Sequence, residues 1–446
     1  VITGGALQTS RFVRWWERTP LAADILSDSA FVRMLAGVPV PLCHTALALV
    51  TLCALFVAPG WMLVAFTALA WLAFSAPRAA VLLLPLSLLL PLSAHLLRSG
   101  DESLMIRTDH ALVAGLALAL VARPDVRRPH TFPLPTWSLF AAWCALATTV
   151  GLARGLHGSA AGALLYTLQI AEMIAIGGIA AYLAPRSWTL RCASLLLPLV
   201  ALASVGIAEH LWPLPAGPGV RYRTFERGFF DGAANHYAGV FALGIAFCAA
   251  RWLRNSKRIA DLVAILLLAA VLLTTGSRTG VLAAGAGIFV VAFVTWPRLR
   301  LPLLAIACVG LVVLGPDAWH HVTARGSSFH DRLIAWKSGI STLDETPLMG
   351  LGLGARHRSY YDSQYIMVLA EAGLIGLGLL LAALVQTARA LRHATLPPGL
   401  NAAGLGATAV FAVHGLAASS IIITVMAGCW FWLVGALLAG DQESSP

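Results

Sequence analysis

Charged side chains are scarce in this chain, and lysine is the scarcest of them. Charged residues make up 11% of the 446, against about 25% in an ordinary soluble domain. A share so low argues against a water-facing globular exterior. Only Lys257 and Lys337 are lysines, beside 28 arginines, so the formal net charge of +10 is an arginine charge. Genomic composition and topology-setting loops explain part of that bias. Arginine also suits bidentate recognition of phosphate and carboxylate. Several motifs are missing as well. No GK[ST] follows the glycine run Gly350-Leu351-Gly352-Leu353-Gly354, and no strand is expected before it, so a nucleotide phosphate loop is a poor reading. His320-His321 and His330-Asp331 lack the spacing of a metal site, and neither a metal nor another cofactor is expected. The cysteines at 43, 53, 144, 192, 248, 308 and 429 lie in or beside apolar runs. They read as small buried hydrophobes, not as a disulfide or zinc framework.

What the chain has in abundance is apolar sequence, with 59% hydrophobic residues and a mean hydropathy of +0.81. Runs of membrane-crossing length recur, near 36–57, 60–76, 79–97, 108–122, 133–153, 159–184, 190–208, 233–250, 259–275, 279–295, 300–315, 362–388, 400–417 and 420–440. The expected fold class is all-α, a polytopic membrane protein of about 12–14 transmembrane helices. The breaks within 36–97 and 400–440 are so short that re-entrant pieces could replace full spans. Residues 1–35 carry Arg11, Arg14, Arg18 and Arg33 with an apolar stripe. They read as an interfacial segment on the cytoplasmic side, ahead of a single transmembrane domain over 36–446.

The short basic connections 123–131, 185–191, 251–258, 296–300 and 389–398 all fall on one side, the cytoplasmic one by the charge rule. The longest loops, 209–232 and 316–361, then share the other side. The second is the longest polar interruption in the chain and carries Arg325, Arg332, Lys337, Arg356, Arg358 and four histidines, so chemistry is expected on the face the two loops share. In the first, Arg221, Arg223 and Arg227 alternate with aromatic residues just before a span that opens near Asn235. Such a segment either anchors the interface or grips a phosphate. Between two apolar runs sits Thr275-Gly276-Ser277-Arg278-Thr279-Gly280, with almost no room for a loop. Arg278 should lie at the membrane lip, where it meets an anion, lines a wet cavity or snorkels to a lipid.

These pieces, in their order, resemble the O-antigen ligase and O-antigen polymerase superfamily of bacterial membrane glycosyltransferases. The resemblance rests on a loop arginine followed by Gly-Phe-Phe and then Asn235, on Ser277-Arg278-Thr279, and on Arg332 with Trp336. It continues through Pro347-Leu348-Met349-Gly350-Leu351-Gly352, Asp362-Ser363-Gln364-Tyr365 and Glu371-Ala372-Gly373-Leu374-Ile375-Gly376. It covers roughly residues 200–390. It implies transfer of an oligosaccharide from a polyprenyl-diphosphate carrier at the inner membrane, on its periplasmic leaflet, metal-independent and inverting. The implied acceptor is lipid A-core in a ligase or another carrier-linked glycan in a polymerase. By position, Arg278 matches the family's SRT arginine, and Arg223 or Arg227 its loop arginine. Ligases place a histidine where this chain has Asp362, and many polymerase-like members have an aspartate there, so polymerase is preferred. His357 is the alternative base. Arg221, Arg332 and Tyr365 complete the expected contacts to diphosphate and glycan.

The chemistry fits these residue types. Breaking a sugar–diphosphate bond develops negative charge that preorganised arginines stabilise, and the acceptor hydroxyl needs a base such as Asp362. An aspartate ahead of an apolar helix is equally a common N-cap. The rival class is a transporter or flippase of an anionic lipid, for which Glu172, His414 and Glu371 are the candidate mid-span polar groups. A scaffold would not need the arginine-rich loops. Membrane lipids are expected partners, and nucleic acid is not.

Overall fold

The computed structural model describes residues 59–89, 93–99, 102–122, 130–157, 160–211, 234–254, 259–305, 327–355, 363–397, 399–422 and 424–439. The spans expected at 36–57 and over most of 300–315 lie outside them, as does the interfacial segment 1–35. The fold is an all-α membrane architecture. Among the described residues six helices are long and apolar enough to cross a bilayer, or seven if one bent pair is a single span, and four shorter apolar helices accompany them. With one further helix at Ser327–Ser341, the described helices are in chain order α1 (Pro59–Ser75), α2 (Pro77–Leu89), α3 (Thr108–Ala122), α4 (Leu134–Ala153), α5 (Ala160–Leu183), α6 (Trp188–Leu211), α7 (Ala234–Arg254), α8 (Ile259–Thr274) and α9 (Arg278–Thr295). Then follow α10 (Ser327–Ser341), α11 (Gln364–His393), α12 (Leu400–His414) and α13 (Thr424–Leu438). The helical runs expected within the described residues are present except for the end of 79–97, and α10 is added inside the long loop.

The chain divides into two compact units. One comprises 1–130, 178–195 and 439–446, and the other 131–177 and 196–438. In the first, α1 and α2 meet at 117°. Pro77 sits at the first position of α2, where its missing N–H costs nothing and its ring ends the preceding helix. The pair is thus one broken span or a re-entrant piece, the alternative raised for the short breaks in 36–97. Gly115 of α3 lets the backbone of α1 approach: a Cβ there would stand 2.1 Å from the Ala70 carbonyl oxygen. Small residues at such crossings are how helices pack where lipid removes the hydrophobic drive.

Residues 93–107 depart from expectation. In place of the end of a span and a loop they form an antiparallel hairpin, β1 (Ser93–Ser99) with β2 (Glu102–Arg107). The residues between the strands are Gly100 and Asp101, a turn pair that favours hairpins. Arg107 then forks onto Asp109 at 2.7 and 3.0 Å.

The second unit holds the expected site residues. Its central helix is α7, whose Ala238, Ala242, Ala246 and Ala250 are fully buried. A Cβ at Gly280 of α9 would lie 2.7 Å from Cβ of Ala238, and one at Gly287 would lie 2.5 Å from Val410 of α12. Glycine and alanine therefore set the spacing of α7, α9 and α12. A second core is aromatic: Trp137, Phe411, Trp430 and Phe431 are fully buried, with Phe411 stacked on Trp430 at 4.3 Å. Trp137 donates its indole N–H to Thr387 Oγ1 at 3.0 Å, so its one polar atom is met. The exterior is apolar too. Leu168 is 64% and Leu197 68% exposed, an arrangement that suits acyl chains and not water.

Candidate functional site

Four helix ends meet at one end of the second unit. The start of α7 touches the start of α9 through Ala238 and Gly280. The end of α12 reaches the start of α7, since His414 Nε2 lies 3.1 Å from the Asn235 carbonyl. The start of α11 is seated on the turn after α12, where Gln364 N–H donates to the carbonyls of Gly415 and Ala418 at 2.9 and 3.1 Å. The opposite end gathers the basic connections. Arg251 of α7 pairs with Asp261 of α8 at 3.2 Å, and Gly399 before α12 lies against Ala250 and Arg254. The helix starts that follow loops 209–232 and 316–361 are therefore together, away from the helix ends that flank 251–258 and from the start of α12 after 389–398.

At the first end, Thr275-Gly276-Ser277-Arg278 is a tight turn built by its own side chains. Gly276 takes φ +65°, a value glycine adopts without a steric penalty. Thr275 Oγ1 accepts from Ser277 N–H at 3.2 Å, and Ser277 Oγ accepts from Gly280 N–H at 3.2 Å. Serine is thereby the N-cap of α9 and satisfies one of the orphan donors of its first turn. Arg278 follows as the first helical residue, exposed. It makes no hydrogen bond or ion pair with any described residue. A guanidinium left uncommitted beside helix N-termini suits an incoming anion.

The second feature is a break inside α11. Gly373 has φ +69° and ψ −171°, which interrupts the helical ladder and leaves backbone groups on both sides without intrahelical partners. The segment 347–354 supplies them. Leu351 N–H donates to Ala370 O at 3.0 Å and Gly352 N–H to Glu371 O at 2.8 Å, while Leu374 N–H donates to Pro347 O at 2.9 Å. Trp143 of α4 gives its indole N–H to Ala372 O at 2.8 Å. Gly354 N–H bonds the Glu371 carboxylate. Gly350, Gly352 and Gly354 all have positive φ, and a Cβ at Gly350 would stand 2.5–2.6 Å from the backbone of residues 371–373. The glycine run is thus a backbone clamp for a broken helix. Irregular backbone at membrane depth persists where protein satisfies it.

Of the expected site residues, Arg278 stands at the shared end of the bundle. Tyr365 is on the first turn of α11, its hydroxyl donating to Ala412 O at 2.9 Å. Arg332 is half-buried on α10. Asp362 lies outside the described residues, immediately before Ser363, whose hydroxyl donates to Gly415 O at 3.3 Å. Arg221, Arg223, Arg227 and His357 lie outside them as well, and so do His320, His321 and the side chains of His330 and Asp331. Glu172 is half-buried on α5, while Glu371 is committed to the glycine clamp. His414 is fully buried, with both ring nitrogens engaged. The break at Gly373 and its clamp were not anticipated: EAGLIGLG reads as a small-residue helix face, and the closing groups come from far along the chain.

No curated protein matches this chain. Residues 262–381 match the family model described as O-Antigen ligase. That segment begins in α8 and holds the Ser277-Arg278-Thr279 turn, the long loop, α10, the glycine clamp and the broken half of α11. Over this segment the chain is similar to the O-antigen ligases.

Proposed function

We propose that the chain transfers a glycan from a polyprenyl-diphosphate carrier to a second carrier-linked glycan, on the periplasmic leaflet of a bacterial inner membrane. The observation that carries this reading is exposed Arg278 at the bundle end where α11, the helix that follows Asp362, also begins. In the step, an acceptor hydroxyl oxygen attacks the anomeric carbon as the bond from that carbon to the diphosphate oxygen breaks. The electron pair leaves with the diphosphate, and the hydroxyl proton passes to the Asp362 carboxylate. Such a single displacement inverts the anomeric centre. Arg278, with Arg223 or Arg227, meets the charge growing on the diphosphate. Arg221 and Arg332 hold the remaining phosphate and glycan oxygens. The Tyr365 hydroxyl, donating its hydrogen bond to the Ala412 carbonyl, keeps lone pairs for a sugar hydroxyl.

The test is transfer by the purified full chain in nanodiscs. Arg278→Ala should lower kcat by about 10²–10³ with the protein still folded. Arg278→Lys should rescue poorly, since a point charge does not replace a planar fork. Full activity in Arg278→Ala would overturn the role. Asp362→Asn should lose turnover while carrier binding is retained. An active Asp362→Asn beside a dead His357→Ala would move the base to His357. Cells lacking the protein should keep single repeats and lose long chains. Long chains left unattached to lipid A-core would make it a ligase instead.

A further inference from the structure

We propose that His414 is a positioning residue of the transfer site, locking the start of α7 to the turn that seats the start of α11. The proposal deepens the glycan-transfer reading and rests on it. His414 lies beyond the segment 262–381 that matches the family model, at the last turn of α12. Its side chain is fully buried, and so is that of Ser420. Nε2 lies 3.1 Å from the Asn235 carbonyl oxygen and Nδ1 lies 2.6 Å from Ser420 Oγ. A carbonyl has no proton to give, so Nε2 carries the hydrogen. In the neutral ring Nδ1 then accepts from the serine hydroxyl. The imidazole is directional at both ends.

The surroundings are cut to admit it. A Cβ on Gly239 of α7 would approach His414 Nε2 to 3.1 Å, and Met426 would crowd it at 2.8 Å. On the other flank, a Cβ on Gly415 would fall 2.2 Å from Cδ of Gln364. Gly415 O accepts from Gln364 N–H and from Ser363 Oγ, and Ala418 O accepts from the same Gln364 N–H. One ring therefore joins two helix starts that follow the two long loops. Asn235 comes just after the stretch with Arg223 and Arg227, and Ser363 comes just after Asp362. A hydrophobe would fill the same volume. A buried histidine is tolerated only with its nitrogens met, and meeting them fixes a distance between segments that carry the diphosphate-side and acceptor-side groups.

Two substitutions separate this role from packing. Glutamine places its amide near the Nε2 position and keeps the tie to Asn235, whereas asparagine reaches only the Nδ1 position and loses that tie. In the full chain in nanodiscs, His414→Asn should lower kcat about tenfold or more with KM for the donor unchanged, as small misplacements of reacting groups do. His414→Gln should stay near the wild-type kcat. Ser420→Ala, a smaller change, should lower kcat less than His414→Asn, again without moving KM. Amide hydrogen exchange over 236–238 should quicken in His414→Asn and not in His414→Gln. Equal kcat in the two variants, or losses that follow melting temperature alone, would overturn the proposal. An unchanged Ser420→Ala, or equal exchange over 236–238, would do the same. If the wild type transfers no glycan, the functional reading falls, and the exchange experiment still decides whether the ring holds α7.

Discussion

The two ends of the second unit are closed by different means. At the end of the basic connections, side chains pair with each other. Arg251 meets Asp261, and Asn401 donates to the carbonyls of Leu391 and Ala394 at 3.0 and 2.9 Å, tying the end of α11 to the start of α12. At the other end, glycine turns, hydroxyls and backbone groups do the closing. Gly276 turns the chain, the glycine clamp satisfies the break at Gly373, and Gly415 and Ala418 seat α11. That leaves Arg278 exposed and without a partner among the described residues. Arg251 is committed to the fold, whereas Arg278, with no such partner among the described residues, suits an incoming anion.

Much of this was legible in the sequence. The helical runs were, because apolar length alone marks a span. The turn at Arg278 was, because glycine and serine between two apolar runs leave few conformations. Relative sidedness followed from the basic connections, and the helix ends meet accordingly. The hairpin at 93–107 was missed although Gly100-Asp101 signalled it, since leucines on both sides extended the apolar reading. The broken helix was hidden for a physical reason. No proline marks it, and the groups that make it tolerable come from Pro347–Gly354 and from Trp143 on another helix. His414 could be seen as a polar group in a span, but its two partners belong to α7 and to a later turn. Site residues on the long loops are named by residue type and order alone, which cannot supply a distance.

The comparison breaks most sharply at Gly373. An alanine there must adopt a backbone conformation that costs an L-residue about 1–3 kcal/mol, and its Cβ would lie 2.2 Å from the Leu348 carbonyl oxygen. We expect Gly373→Ala to release the clamp, abolish transfer, and expose 347–355 to protease in the folded protein. Gly378→Ala is the control. It lies in the same helix with nothing within 4 Å of a new Cβ, so it should be neutral or slightly stabilising. Comparable damage from both would mean that α11 tolerates no substitution, and the clamp would lose its special standing.

A smaller effect is expected at the opposite end. The side chains of Arg251 and Asp261 are 17% and 4% exposed. Removing one partner of a buried pair costs about 3–5 kcal/mol, with the lower figure apt for a guanidinium that keeps some solvent. Arg251→Met should therefore lower the melting temperature and leave turnover per folded molecule unchanged. The double variant Arg251→Met, Asp261→Leu should recover most of the loss. Arg278→Ala is expected to do the reverse, losing turnover and keeping stability. If Arg251→Met lost turnover at unchanged stability, the contrast between the ends would fail.

The finest distinction is pH. His157 sits in the turn after α4, against the clamp: a Cβ at Gly352 or at Gly151 would lie 2.6 Å from its Nε2. Both ring nitrogens are buried and make no hydrogen bond with the described residues. Burial holds its pKa below the ordinary 6.5, because the charged ring loses hydration without gaining a partner. In the unfolded chain the ring takes up a proton near 6.5, while in the folded protein it does so only at lower pH. Between those two values the unfolded state binds more protons, so stability rises with pH across the window and is lost as pH falls through it. The clamp should accordingly be best protected from protease above the ordinary value and progressively less so on acidification. His157→Phe keeps a ring of similar size and removes the titration, so it should flatten this dependence. A clamp that tightens on acidification would show that the folded protein stabilises the protonated ring. An unchanged slope in His157→Phe would assign the effect to another group. Among the described residues the basic end carries His393, which is exposed, so its protection should vary less over the same range.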